Sequence, residues 1–132
     1  MPPGEEMFKF HGYSGPCPKP PKRKDEKPTI VTLCGSTRFP EAFIKATRDE
    51  TLAGHIVISV GLFGHQEGMD MGGPIKAMLD ELHLRKIDLA DEILVLNVGQ
   101  YIGESTRREI EYAQLHGKKI RYLEEPGMGG SV

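Results

Sequence analysis

Thr29-Ile30-Val31-Thr32-Leu33-Cys34, closed by Gly35, is the stretch whose reading decides the fold. It is a short, β-branched, apolar run with no polar alternation, the pattern of a strand covered on both faces. The same signal returns downstream, each time after a helical pattern. Residues 40–53 carry Phe43, Ala46, Thr47 and Glu50 at helical spacing, with Pro40 suited to a first turn and Gly54 to a C-cap. Residues 55–60 read as a second strand and 61–74 as a long Gly-rich loop. Residues 75–90 read as a helix with Ile75, Met78, Leu79, Leu82, Leu89 and Ala90 on one apolar face. A third strand follows at 92–97, a third helix at 105–116 closed by Gly117, and a fourth strand at 118–123.

Strands that alternate with crossover helices give a parallel sheet. The expected architecture is α/β: a doubly wound, flavodoxin- or Rossmann-like sheet of about four to five strands with helices on both faces. Ligands of such sheets bind beyond the carboxyl ends of the strands, where strand order reverses. The segments after strands one, two and three therefore hold the candidate site.

Seven of the ten prolines fall in residues 1–28, and 16–24 runs Pro-Cys-Pro-Lys-Pro-Pro-Lys-Arg-Lys. Residues 1–28 therefore read as an extended or disordered leader, 29–124 as the α/β domain and 125–132 as a flexible Gly-rich tail. No apolar run approaches the roughly 18–20 residues that span a bilayer. Nor does the start have the apolar core of a secretory signal. Cys17 and Cys34 read as reduced thiols, and the expectation is a cytoplasmic protein. A net charge of −2 over 132 residues argues against nucleic acid as a partner of the whole domain.

Four segments have side chains suited to chemistry. In Cys34-Gly35-Ser36-Thr37-Arg38, a glycine ends the strand and two hydroxyls and a guanidinium precede a helix. These groups suit an anion, most naturally a phosphate; Ser36 or Thr37 equally suits a plain N-cap. The loop from Asn97 runs through Gly103, Ser105 and Thr106 into a helix whose first turn holds Glu109. Thr106-x-x-Glu109 fits a capping box, and equally a carboxylate facing the crevice. On the second helix, His83 flanks the apolar face with Asp80 one turn earlier. Asp88 lies opposite, and Asp91 reads as structural. The loop 61–73 has Phe63, His65, Gln66 and Met69 for a flat base-like ligand, and glycines that suit a lid or a plain surface loop. His65, Glu67 and Asp70 have no recognised metal-ligand spacing.

Taken in order, these motifs resemble the nucleoside 2-deoxyribosyltransferase superfamily, and within it the 2′-deoxynucleoside 5′-monophosphate N-glycosidases. The marks are Cys34 to Arg38, Lys86-Ile87-Asp88-Leu89-Ala90-Asp91, and Glu109-Ile110-Glu111-Tyr112-Ala113 with Gly117-Lys118. The resemblance implies that Glu109 is the nucleophile, that Gly35, Ser36, Thr37 and Arg38 bind phosphate, and that Gly103, Ser105 and Thr106 add to that site. It implies a nucleotide or nucleoside substrate, hydrolysis or transfer at its N-glycosidic bond, no metal or organic cofactor, and a homodimer or larger assembly. Tyr101, Ile102 and Tyr112 are the candidate contact residues for that assembly. There is one departure. Where the family has an aspartate eight residues before Asp91, this chain has His83, so proton delivery to the base falls to His83 or to nearby Asp80.

Three other readings remain at this point. Thr106-x-x-Glu109 also resembles the cytokinin-releasing phosphoribohydrolases, but without their Pro-Gly-Gly-x-Gly-Thr motif. A non-catalytic nucleotide-sensing module would keep the phosphate loop alone. A nucleic-acid accessory protein would act through the basic leader.

Overall fold

The computed structural model describes residues 7–10, 13–16, 26–61 and 73–126. Met7–Phe10 (β1) and Tyr13–Pro16 (β2) pair antiparallel, with Met7 opposite Pro16 and Phe10 opposite Tyr13. This hairpin lies within the segment that the sequence reads as an extended or disordered leader. The segment from Gly4 to Gly15 contains no proline, so nothing in it removes a ladder donor, and Pro16 sits at the strand's last position.

The α/β unit follows as Ile30–Cys34 (β3), Pro40–Leu52 (α1), Ile56–Ile58 (β4), Gly73–Leu89 (α2), Glu92–Val95 (β5), Glu104–Leu115 (α3) and Lys119–Tyr122 (β6). The four later strands form one all-parallel sheet in the order β4-β3-β5-β6. The expected doubly wound architecture is therefore present, with four strands. From β3 the chain steps outward to β4 and then crosses back past β3 to β5. A right-handed crossover on each step puts α1 on one face and α2 and α3 on the other.

Alternation along the strands sorts the core into those two layers. Val31 and Leu33 of β3 and Leu94 of β5 pack with Phe43 and Ala46 of α1 and with Leu96. Cys34, Ile93 and Val95 face the other way, against Ile87 of α2 and Ile110 and Ala113 of α3. Phe43 is 1% exposed, and truncating such a residue costs about 3–5 kcal/mol. Every residue of β5 is buried, as the central place of an apolar strand requires. Asp91 ties β5 to β3: its carboxylate accepts from the Ile30 amide at 2.9 Å, and its own amide donates to the Ile30 carbonyl at 2.9 Å.

The second helix is oriented differently from the sequence expectation. Ile75, Met78, Leu82 and Leu89 are 41–67% exposed, whereas His83 and Ile87 are buried. Only Ala90 of the expected apolar face is fully covered. The helix rests on the sheet near its C-terminal end, where the Thr32 hydroxyl donates to the Lys86 carbonyl at 2.9 Å. Its first half walls a cavity instead. Ile102 and Tyr112, expected as free contact residues, pack partly against the α2–α3 layer of the core.

Candidate functional site

The strand order reverses between β3 and β5, so the loops leaving them diverge and open a crevice. A cavity of about 670 Å³ lies there. Its lining brings together all ten residues singled out from the sequence. Gly35, Ser36, Thr37 and Arg38 come from the loop after β3, Asp80 and His83 from α2, and Gly103, Ser105, Thr106 and Glu109 from the start of α3. It also contains residues to which sequence reading gave no site role, among them Lys76, Lys86 and Tyr101.

The loop after β3 is a tight turn. The Phe39 amide donates to the Ser36 carbonyl at 3.1 Å, and the Arg38 amide to the Ser36 hydroxyl at 3.3 Å. The N-cap of α1 is Phe39, with no side-chain cap, and Pro40 follows it. Neither Ser36 nor Thr37 is therefore an N-cap. Gly35 is required by close approach: a Cβ there would lie 3.1 Å from the Leu96 Cβ and 3.3 Å from its carbonyl oxygen. Arg38 lies over the Tyr101 ring, 5.2 Å from its centroid, and Phe39 meets that ring edge-on at 6.0 Å. Tyr101 thus joins the two loops that frame the crevice.

The loop after β5 is held from the far end of the domain. Asn97 is buried; its amide group donates to the Glu124 carbonyl and accepts from the Glu124 amide, each at 2.9 Å. The Glu124 carboxylate takes the Gly99 amide at 2.9 Å. Gly99 and Gln100 both have positive φ, 61° and 67°, a conformation that costs a non-glycine residue energy and persists where contacts fix it.

Helix α3 begins at Glu104 with Gly103 as N-cap. Thr106 is thus its third residue and cannot open a capping box with Glu109. Glu109 instead faces the crevice, with its side chain 13% exposed and Oε1 buried without a hydrogen-bond partner. Lys76 donates across the helix interface to the Ser105 hydroxyl at 3.0 Å and, within α2, to Asp80 at 3.1 Å. Lys86 donates to the Ser59 carbonyl at 2.9 Å, fixing α2 to the segment after β4.

At the cavity floor three side chains from three elements meet. The His83 Nε2 lies 3.3 Å from the Cys34 Sγ and 3.6 Å from the Glu109 Oε1. Sequence reading had Cys34 only as a reduced thiol, and it is a free, buried cysteine. Burial, aided by the negative charge of Asp80, pushes the Glu109 carboxyl up to about 8, while a hydrogen bond with Cys34 and then the charges of Lys76 and Arg108 pull the other way. Burial, with the nearby Lys86 charge, pushes His83 down to about 4. Burial raises the Cys34 thiol well above its ordinary value, and Glu109 adds to the effect. Near neutral pH the trio therefore favours thiol, neutral imidazole and carboxylic acid. Because one ring nitrogen faces both partners, the imidazole cannot relay a proton between them through its two ends, as a nucleophile–His–acid triad does.

Residues 62–72, with Phe63, His65, Glu67 and Asp70, lie outside the described residues, as do Cys17 and 127–132. Among the described residues no helix is long and apolar enough to cross a membrane. Comparison with protein-family models, with curated proteins and with solved structures finds no match to this chain.

Proposed function

We propose that this protein breaks the N-glycosidic bond of a (deoxy)nucleoside 5′-monophosphate, by hydrolysis or by transfer to a second base, with Glu109 as nucleophile. The observation that carries this reading is the Glu109 carboxyl: sheltered in the crevice, with one oxygen lacking a partner, in the same cavity as the hydroxyl- and arginine-bearing loop after β3. The motif resemblance supplies the reaction class.

In this reading the loop 35–38 and Arg38 hold the 5′-phosphate and so orient C1′ toward Glu109. That is binding energy remote from the reacting bond. The ionised carboxylate attacks C1′, the C1′–N bond breaks, and its electron pair leaves with the base, which takes up a proton. Water or a second base then attacks C1′ and frees Glu109. Ionisation of Glu109 opposes its burial, and the cations Lys76 and Arg108 are the groups that favour it. His83, neutral near pH 7 and turned toward Glu109, positions that carboxylate. The base takes its proton from solvent, passed on by Asp80, which lines the cavity, is paired with Lys76 and is 42% exposed. The chemistry itself requires neither metal nor organic cofactor.

The burial that pushes the Glu109 carboxyl up to about 8 favours a second reading. A carboxyl that stays protonated near neutral pH leaves a nucleotide pocket without a nucleophile, which is the sensing module. Incubation with a panel of ribo- and deoxyribonucleoside 5′-monophosphates, followed by chromatography of free base, separates the two. Release by wild type that is lost in Glu109→Gln, with nucleotide binding retained, supports the enzyme. Binding without release supports the sensor.

The exposed stripe Ile75, Met78 and Leu82 lies beside the cavity, and we assign to it the homodimer contact that the resemblance implies. A charge at its centre, Met78→Glu, lowers the mass measured by light scattering if that assignment holds and leaves it unchanged otherwise.

A further inference from the structure

We propose that Cys34, His83 and Glu109 form a three-donor site for a soft divalent transition ion, zinc foremost. Their Sγ, Nε2 and carboxylate oxygen converge from β3, α2 and α3, and all lie within 4.8 Å of one another. Two of the separations are 3.3 Å for Sγ to Nε2 and 3.6 Å for Nε2 to Oε1. A tetrahedral ion with zinc-like bond lengths to sulfur, nitrogen and oxygen holds its donors about 3.3–3.6 Å apart. Two of the three separations therefore already match a coordination shell, and the third is no more than 4.8 Å.

Cys34 and Glu109 hydrogen-bond within the cluster, but this leaves one carboxylate oxygen unmet. Sulfur and carboxylate converge on the same ring nitrogen, and the Glu109 Oε1 is left buried with no partner, an arrangement that costs free energy unless something binds there. A cation satisfies all three donors at once. Thiolate and carboxylate carry two negative charges between them, which cancel a dication, while the imidazole binds neutral. Sulfur and nitrogen donors select zinc, cobalt(II) and their neighbours over magnesium or calcium. Glu109 and His83 also line the cavity, so a fourth position is open to water or to a ligand. Of the nearby cations, Lys76 is paired with Asp80 and Lys86 with the Ser59 carbonyl. Binding releases the Cys34 and Glu109 protons to solvent. A consequence rests on the glycosidase reading: a Glu109 oxygen bound to metal cannot attack C1′, so the ion silences the enzyme and chelation restores it.

The test uses the full chain, stripped with chelator and titrated with cobalt(II). The expected result is one equivalent bound, with tetrahedral visible bands and a sulfur-to-cobalt charge-transfer band. Cys34→Ser abolishes the charge-transfer band, Glu109→Gln and His83→Gln weaken binding at least about tenfold, and Cys17→Ser changes nothing. Circular dichroism confirms that each variant is folded. Folded wild type that retains no cobalt, or a charge-transfer band that survives in Cys34→Ser and vanishes in Cys17→Ser, overturns the site. Base release with and without zinc is measured separately. Its complete absence removes the glycosidase reading and leaves the binding result intact.

Discussion

The sheet carries a polar cluster on each face, and the two are built on opposite terms. On the α1 side, Arg121 of β6 donates to Glu92 of β5 and to Glu50 of α1, and His55 pairs with Glu50 at 2.8 Å. Each carboxylate there has a cation within reach. On the α2–α3 side, Glu109 is at least as sheltered, but its Oε1 has no hydrogen-bond partner and its nearest ring nitrogen is neutral. The Glu50 and Glu109 side chains are each 13% exposed, but Glu109 lies deeper among protein atoms and has no cation bonded to it as Glu50 has Arg121. The first cluster holds the fold together, whereas the second keeps an unmet demand at the floor of a crevice, as sites for chemistry do.

Several measurements break or sharpen this contrast. The largest effect is expected from Glu109→Gln: base release falls by at least about a thousandfold, while the melting temperature holds or rises because a poorly satisfied carboxyl is gone. A clear drop in melting temperature would make Glu109 a structural residue like Glu50. Arg121→Ala is the mirror experiment. It strands Glu92 and leaves Glu50 with His55 alone, and with Arg121 30% exposed the loss is about 2–3 kcal/mol in urea unfolding, with release per folded molecule unchanged.

The two clusters also answer pH with opposite signs. Burial pushes Glu50 up, but hydrogen bonds from Arg121 and His55 outweigh it and hold the carboxyl below its ordinary 4.5. The native state then binds fewer protons than the unfolded chain, and this contribution is lost as pH falls below about 4.5. Glu109 runs the other way: the native state keeps its proton between 4.5 and about 8, so stability is lost as pH rises through that window. In chelator-treated protein, Glu50→Gln flattens the acid limb of a melting-temperature profile and Glu109→Gln the neutral-to-alkaline limb. The smallest effect is at Lys45, 63% exposed and bonded to Asp49 one turn on; Lys45→Ala shifts stability by a few tenths of a kcal/mol at most.

The four strands and three helices of the parallel unit were legible because each is a local pattern: a β-branched run, a helical period, a glycine at an end. Their order dictated a parallel sheet with a crevice at the switch point, and hence which loops to examine. The direction α2 faces was not legible. Its apolar period shows which side prefers cover, but not that the first half of the helix walls a cavity, so Ile75, Met78 and Leu82 were assigned to a core that buries His83 and Ile87 instead. Of the two equal readings of Thr106-x-x-Glu109, the capping box falls because α3 begins two residues before Thr106. The cluster of Cys34, His83 and Glu109 joins residues 49 and 26 positions apart, and only strand order brings them together. Some of the motif resemblance also has a purely architectural basis. The Tyr112 hydroxyl donates to Asp88 at 2.6 Å, Lys118 to the Asp88 carbonyl at 3.2 Å, and Asp91 to β3. The same letters that suggest an activity are those that dock α3 and β5.

Asn97 grips the backbone of a residue 27 positions later in the chain, and this has a consequence for biosynthesis. Domains emerge from the ribosome N-terminus first, so β3, α1, β5 and α3 are all made before Glu124 exists. A nascent chain stalled at residue 122 has every strand of the sheet, yet the loop leading into α3 is still without its latch. That loop is therefore fixed only once Glu124 has cleared the exit tunnel, later than every strand of the sheet.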